Sequence, residues 1–193
     1  TMGYGLNSFL DFDSPVKLFE HLLIGSEGTL AFIAEAVLRT VPISKLTTTT
    51  VAVFDDLTAA TKSLPALLDT GAATLELMDS ASIRVGQGFD KVPQAITGFD
   101  VDSQAALLIE YQSDDKEELR EKENKGSSLL RELDLQSPAE FSADIPTRTA
   151  AWNFRKGLYA QVAEARPSGT TALLEDVVVP VGDLADTCAS LQE

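Results

Sequence analysis

Leu46-Thr47-Thr48-Thr49-Thr50-Val51-Ala52-Val53-Phe54 is followed at once by Asp55-Asp56, and then by Leu57, Ala60, Leu64, Leu67 and Leu68. A run of Thr and Val suits a pleated, half-buried surface and reads as a strand. Asp55 or Asp56 then caps a helix whose apolar residues share one face. Pro65 is expected to kink or restart that helix, and Gly71 closes it. The alternation repeats downstream. Ala73 to Met78 reads as a strand, Asp79 opens a short helix to Val85, and residues 86 to 104 read as a loop. Ala105 to Tyr111 is a further strand. Asp114 to Leu133 is a charged helix with a narrow stripe of Leu119, Gly126, Leu129, Leu130 and Leu133. Ile145-Pro146 begins a helix to about Ala165, Thr170 to Val179 reads as a strand stopped by Pro180, and Leu184, Cys188 and Leu191 mark a last helix. Strands alternating with helices predict an α+β fold. A ferredoxin-like antiparallel sheet with helices on one face fits residues 45 to 193.

The part before Pro42 reads differently. Residues 1 to 15 form a Gly-, Asn-, Asp- and Ser-rich loop. Ser14 can cap the next helix with Pro15 at its first position, and Val16, Phe19, Leu22 and Leu23 recur at helical spacing up to Gly25. Thr29 to Val41 is nearly all apolar or small and is expected to be a buried strand or strand pair. Both ends of the sequence interrupt a pattern, so the chain is expected to be a piece of a longer protein. Residues 1–42 would be a strip of a neighbouring domain.

The 193 residues suit one medium domain, or a small one with part of another. Hydrophobic residues at 44% and charged residues at 23% allow a core and argue against overall disorder. Thirty acids against fifteen bases give −15 at pH 7, a field that repels phosphate backbones and anionic membrane surfaces. No nucleic acid is therefore expected as a partner. No apolar run approaches the roughly 20 residues of a membrane span. The charge suits solubility in a cytoplasm. One cysteine, Cys188, and one histidine, His21, leave no disulfide, no zinc cluster and no metal site. There is no phosphate-binding GxxxxGK[ST] loop, no HExxH helix and no GxSxG elbow.

A few constellations could carry chemistry. Gly25-Ser26-Glu27-Gly28-Thr29 is either an ordinary helix end and turn or a place where backbone N–H groups meet a ligand. Trp152, Arg155, Tyr159 and Val162 share a helix face. They form either an aromatic stripe with Arg155 reaching the surface, or a clamp in which Arg155 holds a carboxylate between rings. Glu175 and Asp176 alternate in a strand. One could be buried with a partner arginine, or the pair could mark the strand's exposed end. His21 and Cys188 read as structural, and the charges from Asp114 to Lys125 as a solvated helix face.

Gly3-Tyr4-Gly5-Leu6 and the run from His21 through Gly25-Ser26-Glu27-Gly28-Thr29-Leu30-Ala31-Phe32-Ile33-Ala34-Glu35-Ala36 together resemble the end of a flavin-binding domain. The family is the FAD-linked oxidases and dehydrogenases of the vanillyl-alcohol-oxidase type, which includes D-lactate dehydrogenase-like and glycolate oxidase-like members. Ala31 stands where the family usually has Gly, and Ala34 where it has Thr. Ala73 to Asp79, Trp152-x-x-Arg155-Lys156 and Glu175 to Pro180 resemble the family's cap domain. The resemblance implies residues 1–42 as the C-terminal piece of an FAD-binding domain and 43–193 as a cap or substrate domain truncated at its C-terminus. It implies FAD as cofactor, with Glu27, Gly28, Thr29, Leu30, Ala31, Phe32 and Ile33 lining it. It also implies a small 2-hydroxy acid such as D-lactate or glycolate as substrate, its carboxylate held by Arg155 with Tyr159 on the same face. It names no catalytic acid or base and no electron acceptor. The parent enzyme could sit peripherally on a membrane, and exposed Leu22, Leu23 or Phe32 could be covered by a second copy in a homodimer. The rival reading is a stand-alone ferredoxin-like ligand-binding or regulatory module without catalysis.

Overall fold

Thr and Val side chains branch at Cβ and favour extended backbone, and Leu46–Phe54 forms the strand β1. A computed structural model describes residues 3–170 and 178–192 of the chain. They divide into two units, one comprising residues 3–42 and 178–179 and one comprising residues 43–170 and 180–192.

In the larger unit β1 is followed by α3 (Leu57–Asp69), β2 (Thr74–Met78), α4 (Ser80–Gly86), β3 (Ala105–Ser113), α5 (Lys116–Glu132), α6 (Ile145–Ala165) and α7 (Leu184–Gln192); α1 (Ser8–Asp11) and α2 (Pro15–Leu22) belong to the smaller unit. The sheet order is β1-β3-β2, and β3 pairs antiparallel with both neighbours. β1 and β2 therefore run parallel with β3 between them, the split β-α-β arrangement of a ferredoxin-like sheet. The α+β class and the antiparallel sheet expected from sequence are present.

Helices cover both faces of this sheet, where one face was expected. Ala52, Phe54, Leu107, Ile109 and Tyr111 point toward Leu64 and Leu67 of α3 and Leu119 and Leu130 of α5. Val51, Val53, Ala106, Leu108 and Met78 point the other way, toward Ile83 of α4 and Ala151, Phe154 and Leu158 of α6. The central strand shows why: Ala105 to Tyr111 is buried at every residue. A strand wrapped on both sides loses the polar alternation that would mark a solvated face.

Aspartates set most helix starts. Asp56, Asp79, Asp115 and Asp144 each accept a backbone N–H of the first turn. Pro65 does not break α3, which runs unbroken through it. Pro65 faces out while Leu64 and Leu67 beside it are buried, so packing holds the helix across the missing N–H. The stretch 86–104 is a loop as expected, with a short 3₁₀ turn at Gln94–Ile96, and it also closes the core. Ile96 is fully buried, and Gln87 Nε2 donates to the carbonyls of Ile96 and Phe99 at 2.9 and 3.0 Å. Segment 135–142 bridges the outer edge of β1 through Thr49–Ser142 and Phe54–Leu135, shielding that edge from pairing elsewhere.

The smaller unit departs further from expectation. Residues 1 to 15 were read as a loop, yet Ser8–Asp11 make the helical turn α1. Ser14 stands at the N-cap position of α2 but its side chain makes no capping bond. The run Thr29 to Val41 is neither a strand nor buried. Phe32, Val37, Leu38 and Val41 are exposed, and no strand runs alongside among the described residues. Apolar composition favours extension, but a strand exists only where a neighbour takes its backbone hydrogen bonds. The strand expected over Thr170 to Val179, with Glu175 and Asp176, falls largely outside the described residues.

Among the glycines, Gly86 makes the tightest contact between two helices. A Cβ there would lie 2.4 Å from Phe154 Cζ and 2.9 Å from Leu158 Cδ2. Gly86→Ala is expected to cost about 1–2 kcal/mol in urea denaturation, since overpacking outweighs the gain in helix propensity. Gly88→Ala, whose Cβ meets nothing closer than 3.4 Å, should be neutral within about 0.5 kcal/mol. Equal stabilities would mean that α4 and α6 do not pack this closely.

Candidate functional site

Strand alternation sends Thr49, Glu110 and Glu76 to the sheet face that α6 covers. Two carboxylates thus stand on the same face as the apolar Leu108 and Met78. α6 answers with two adjacent seams. Ala151, Phe154 and Leu158 fill the apolar core, while Arg148, Trp152 and Arg155 meet the carboxylates.

Glu110 is 3% exposed and fully engaged. Its Oε2 accepts Trp152 Nε1 at 2.8 Å and Thr49 Oγ1 at 2.7 Å, and its Oε1 accepts Gln112 Nε2 at 2.6 Å. Arg148 lies 3.4 Å from Oε2 through Nη2, and its Nε donates to Thr49 Oγ1 at 3.1 Å. Burial pushes the carboxyl up, but the bonds from Trp152, Thr49 and Gln112, with the Arg148 charge, outweigh it and hold Glu110 below its ordinary value.

Seven residues along α6, Arg155 Nε donates to Glu76 Oε2 at 2.7 Å. The pair is partly open, with side chains 41% and 28% exposed. No other acceptor holds Arg155 among the described residues. Tyr159 is half exposed on the same face. Trp152, by contrast, is tied to Glu110, with Lys156 Nζ 5.8 Å from its ring. So of the expected aromatic pair only Tyr159 is free to face a ligand. A groove of about 980 Å³ runs between β1, loop 92–99, segment 136–142 and the start of α6, with Thr49 and Arg148 in its wall. Arg155 and Tyr159 do not line it.

In the smaller unit α2 ends in a tight turn. Gly25, Glu27 and Gly28 have φ of 79°, 50° and 74°, and Glu27 is the sole non-glycine with positive φ among the described residues. Ser26 is buried, and its carbonyl accepts both Thr29 N at 2.9 Å and Thr29 Oγ1 at 2.6 Å. Tyr4 Oη meets Thr29 Oγ1 at 2.8 Å, so the Gly3–Leu6 and Gly25–Thr29 motifs close on each other. Its own chain neighbours aside, no atom of the described residues lies within 4 Å of where a Gly28 Cβ would sit. The N–H groups of Glu27, Gly28 and Leu30 to Ile33 have no protein acceptor among the described residues. Leu30, Phe32 and Ile33 are exposed and Ala31 is half-buried. His21 Nδ1 donates to Lys17 O at 2.8 Å and the ring stacks on Phe12, a structural role.

Residues 43–193 match the family model described as FAD linked oxidases, C-terminal domain. The chain belongs to the FAD-linked oxidase family. Similar proteins include the glycolate oxidase subunit GlcD of Bacillus subtilis, 26% identical over 89% of this chain and 35% of that protein. A D-2-hydroxyglutarate dehydrogenase of Pantoea ananatis is 25% identical over 95% of this chain and 19% of its own length. A probable mitochondrial D-lactate dehydrogenase of Danio rerio is 26% identical over 85% and 31%. The chain thus spans between 19% and 35% of the length of these relatives. No helix among the described residues is long and apolar enough to cross a membrane.

The open turn suits one part of an FAD molecule. N–H donors with no protein acceptor among the described residues, beside apolar side chains, match the edge and face of a flavin ring. Residues 18–38 hold no lysine or arginine, so little here suits the pyrophosphate. Sequence reasoning missed Glu110 and Glu76 in the larger unit. A carboxylate inside the runs Leu107-Leu108-Ile109-Glu110-Tyr111 and Leu75-Glu76-Leu77 was the available signal, since a buried charge needs a partner.

Glu110→Gln keeps an acceptor for Trp152 but leaves Arg148 without a counter-charge. It should cost about 2 kcal/mol at neutral pH by urea denaturation. The folded carboxyl titrates below its ordinary 4.5, so its stabilisation is complete above 4.5 and is lost as pH falls through the lower folded value. The stability gap between wild type and Glu110→Gln should be flat from pH 7 to about 6 and close below 4.5. A gap that widens in acid would overturn the ionised assignment.

Proposed function

We propose that residues 43–193 form the substrate-facing cap of an FAD-dependent dehydrogenase that oxidises a 2-hydroxy acid, and that residues 1–42 are the end of its flavin-binding domain. The match of residues 43–193 to the FAD-linked oxidase C-terminal domain carries this reading. The names of the similar proteins support the substrate class: glycolate, D-lactate and D-2-hydroxyglutarate each bear a hydroxyl beside a carboxylate. On this reading the chain is part of a longer enzyme.

When bound, FAD supplies the two-electron acceptor for the hydride on the substrate's α-carbon. Glu27 to Ile33 hold it through backbone N–H groups and the apolar faces of Leu30, Phe32 and Ile33. Arg155 binds the substrate carboxylate. A planar guanidinium meets a carboxylate in two-point contact, which fixes the direction of the α-carbon as well as the charge. Tyr159 flanks it on the same helix face.

The natural gene product should carry flavin absorbance, and glycolate, D-lactate or D-2-hydroxyglutarate should bleach it. Absence of flavin, or no bleaching by any 2-hydroxy acid, would defeat the reading. Within it, Arg155→Lys keeps the charge but loses the fork. A charged hydrogen bond is worth about 1.5–3 kcal/mol, so kcat/KM should fall roughly ten- to a hundredfold with unchanged flavin content. Arg155→Ala should lose more, and wild-type kcat/KM in Arg155→Ala would remove Arg155 from the site.

A further inference from the structure

We infer that Glu76 is a positioning residue that sets which edge of Arg155 meets the substrate. This rests on the reading above, in which Arg155 binds the carboxylate. A guanidinium offers a carboxylate two forks, one through Nε and a terminal nitrogen, the other through both terminal nitrogens. Glu76 already takes Nε at 2.7 Å. The side-on fork is occupied, so an incoming carboxylate docks end-on, on Nη1 and Nη2.

Glu76 is well placed to impose this. It stands at the centre of β2, opposite Leu108 of β3. Its backbone is thereby fixed by the sheet ladder and not by a loop. Leu108 and Met78 beside it on that face are apolar, and Arg155 is its one ion-pair partner among the described residues. The pair is also open enough, at 41% and 28% exposure, for the far edge of the guanidinium to be reached. The pair that Arg148 of the same helix makes with Glu110 differs in its exposure and its bonding. It is buried at the carboxylate, its arginine bonds a second protein oxygen, and it acts as an anchor.

Two roles for Glu76 give opposite signs. A carboxylate that only neutralised Arg155 would weaken substrate binding, and removing it would lower KM. A carboxylate that orients Arg155 strengthens binding, and its loss raises KM. Glutamine separates them because it keeps the acceptor oxygen and drops the charge.

The test uses the FAD-loaded natural gene product and its Glu76→Gln, Glu76→Ala, Glu76→Ser and Arg155→Ala variants. Steady-state kinetics with D-lactate or glycolate give KM and kcat. Calorimetric titration with oxalate, a carboxylate with no hydrogen to lose, gives a Kd independent of turnover. Glu76→Ala and Glu76→Ser should each raise KM and the oxalate Kd about tenfold, with kcat changed less, and Glu76→Gln should recover most of the loss. Thermal unfolding should move little in all three Glu76 variants, which separates orientation from a folding defect. Ala and Ser variants that bind as tightly as wild type or tighter, while Arg155→Ala binds worse, overturn the inference and leave the Arg155 assignment standing. Unchanged binding in Arg155→Ala removes the assignment itself, and the inference with it.

Discussion

The Glu110 carboxylate is the constraint on which the larger unit turns. A charge 3% exposed in a sheet is unfavourable unless each oxygen is met. Thr49 from β1, Gln112 from β3 itself, and Trp152 and Arg148 from α6 meet it. These bonds are directional, unlike the packing of Ala151, Phe154 and Leu158 alongside. Apolar contact brings α6 onto the sheet. The bonds to Glu110 select its rotation, because Trp152 Nε1 reaches Glu110 from one helix face only. Everything carried on that face, Arg155 and Tyr159 included, is placed by this choice.

The same constraint explains what the sequence conceals. The strands and helices of residues 43–165 were readable because Thr and Val favour extension, aspartates cap helices, and the leucines of α3 and α5 recur on one face. α6 has polar residues turned inward, so its inner face is split between an apolar and a polar seam. Its length could be read from Ile145-Pro146 to Ala165, but not which side it buries. The second helical layer was missed for a related reason. Carboxylates at Glu76 and Glu110 on the covered face mimic the polar positions of a solvated one, and only their partners, 38 to 79 residues away in the chain, reveal otherwise.

The smaller unit shows the opposite case. The glycine turn was legible from residue type, and the positive φ at Gly25 and Gly28 is the reason those glycines stand there. The run 29–41 misled because apolar composition specifies a tendency to be covered and not the thing that covers it. Pairing is a property of two segments. Reading one of them, however strand-like, leaves the hydrogen bonds of Phe32, Val37 and Leu38 unassigned.

The two carboxylates on the α6 side of the sheet therefore divide stability from recognition. A half-exposed pair such as Glu76–Arg155 adds about 0–1 kcal/mol, since water screens it and two long side chains lose freedom. A hydrophobic residue on β2 would stabilise that position as well. What the pair does provide is direction, because a guanidinium bonded at Nε has its plane and outer edge defined. Preorganisation of that kind improves binding by removing rotamers that would otherwise be lost when ligand arrives. Glu110, deeper and fully bonded, supplies the rigid helix from which such direction is useful. An arginine oriented on a helix free to rotate would point nowhere in particular, so the surface pair depends on the buried one and not the reverse.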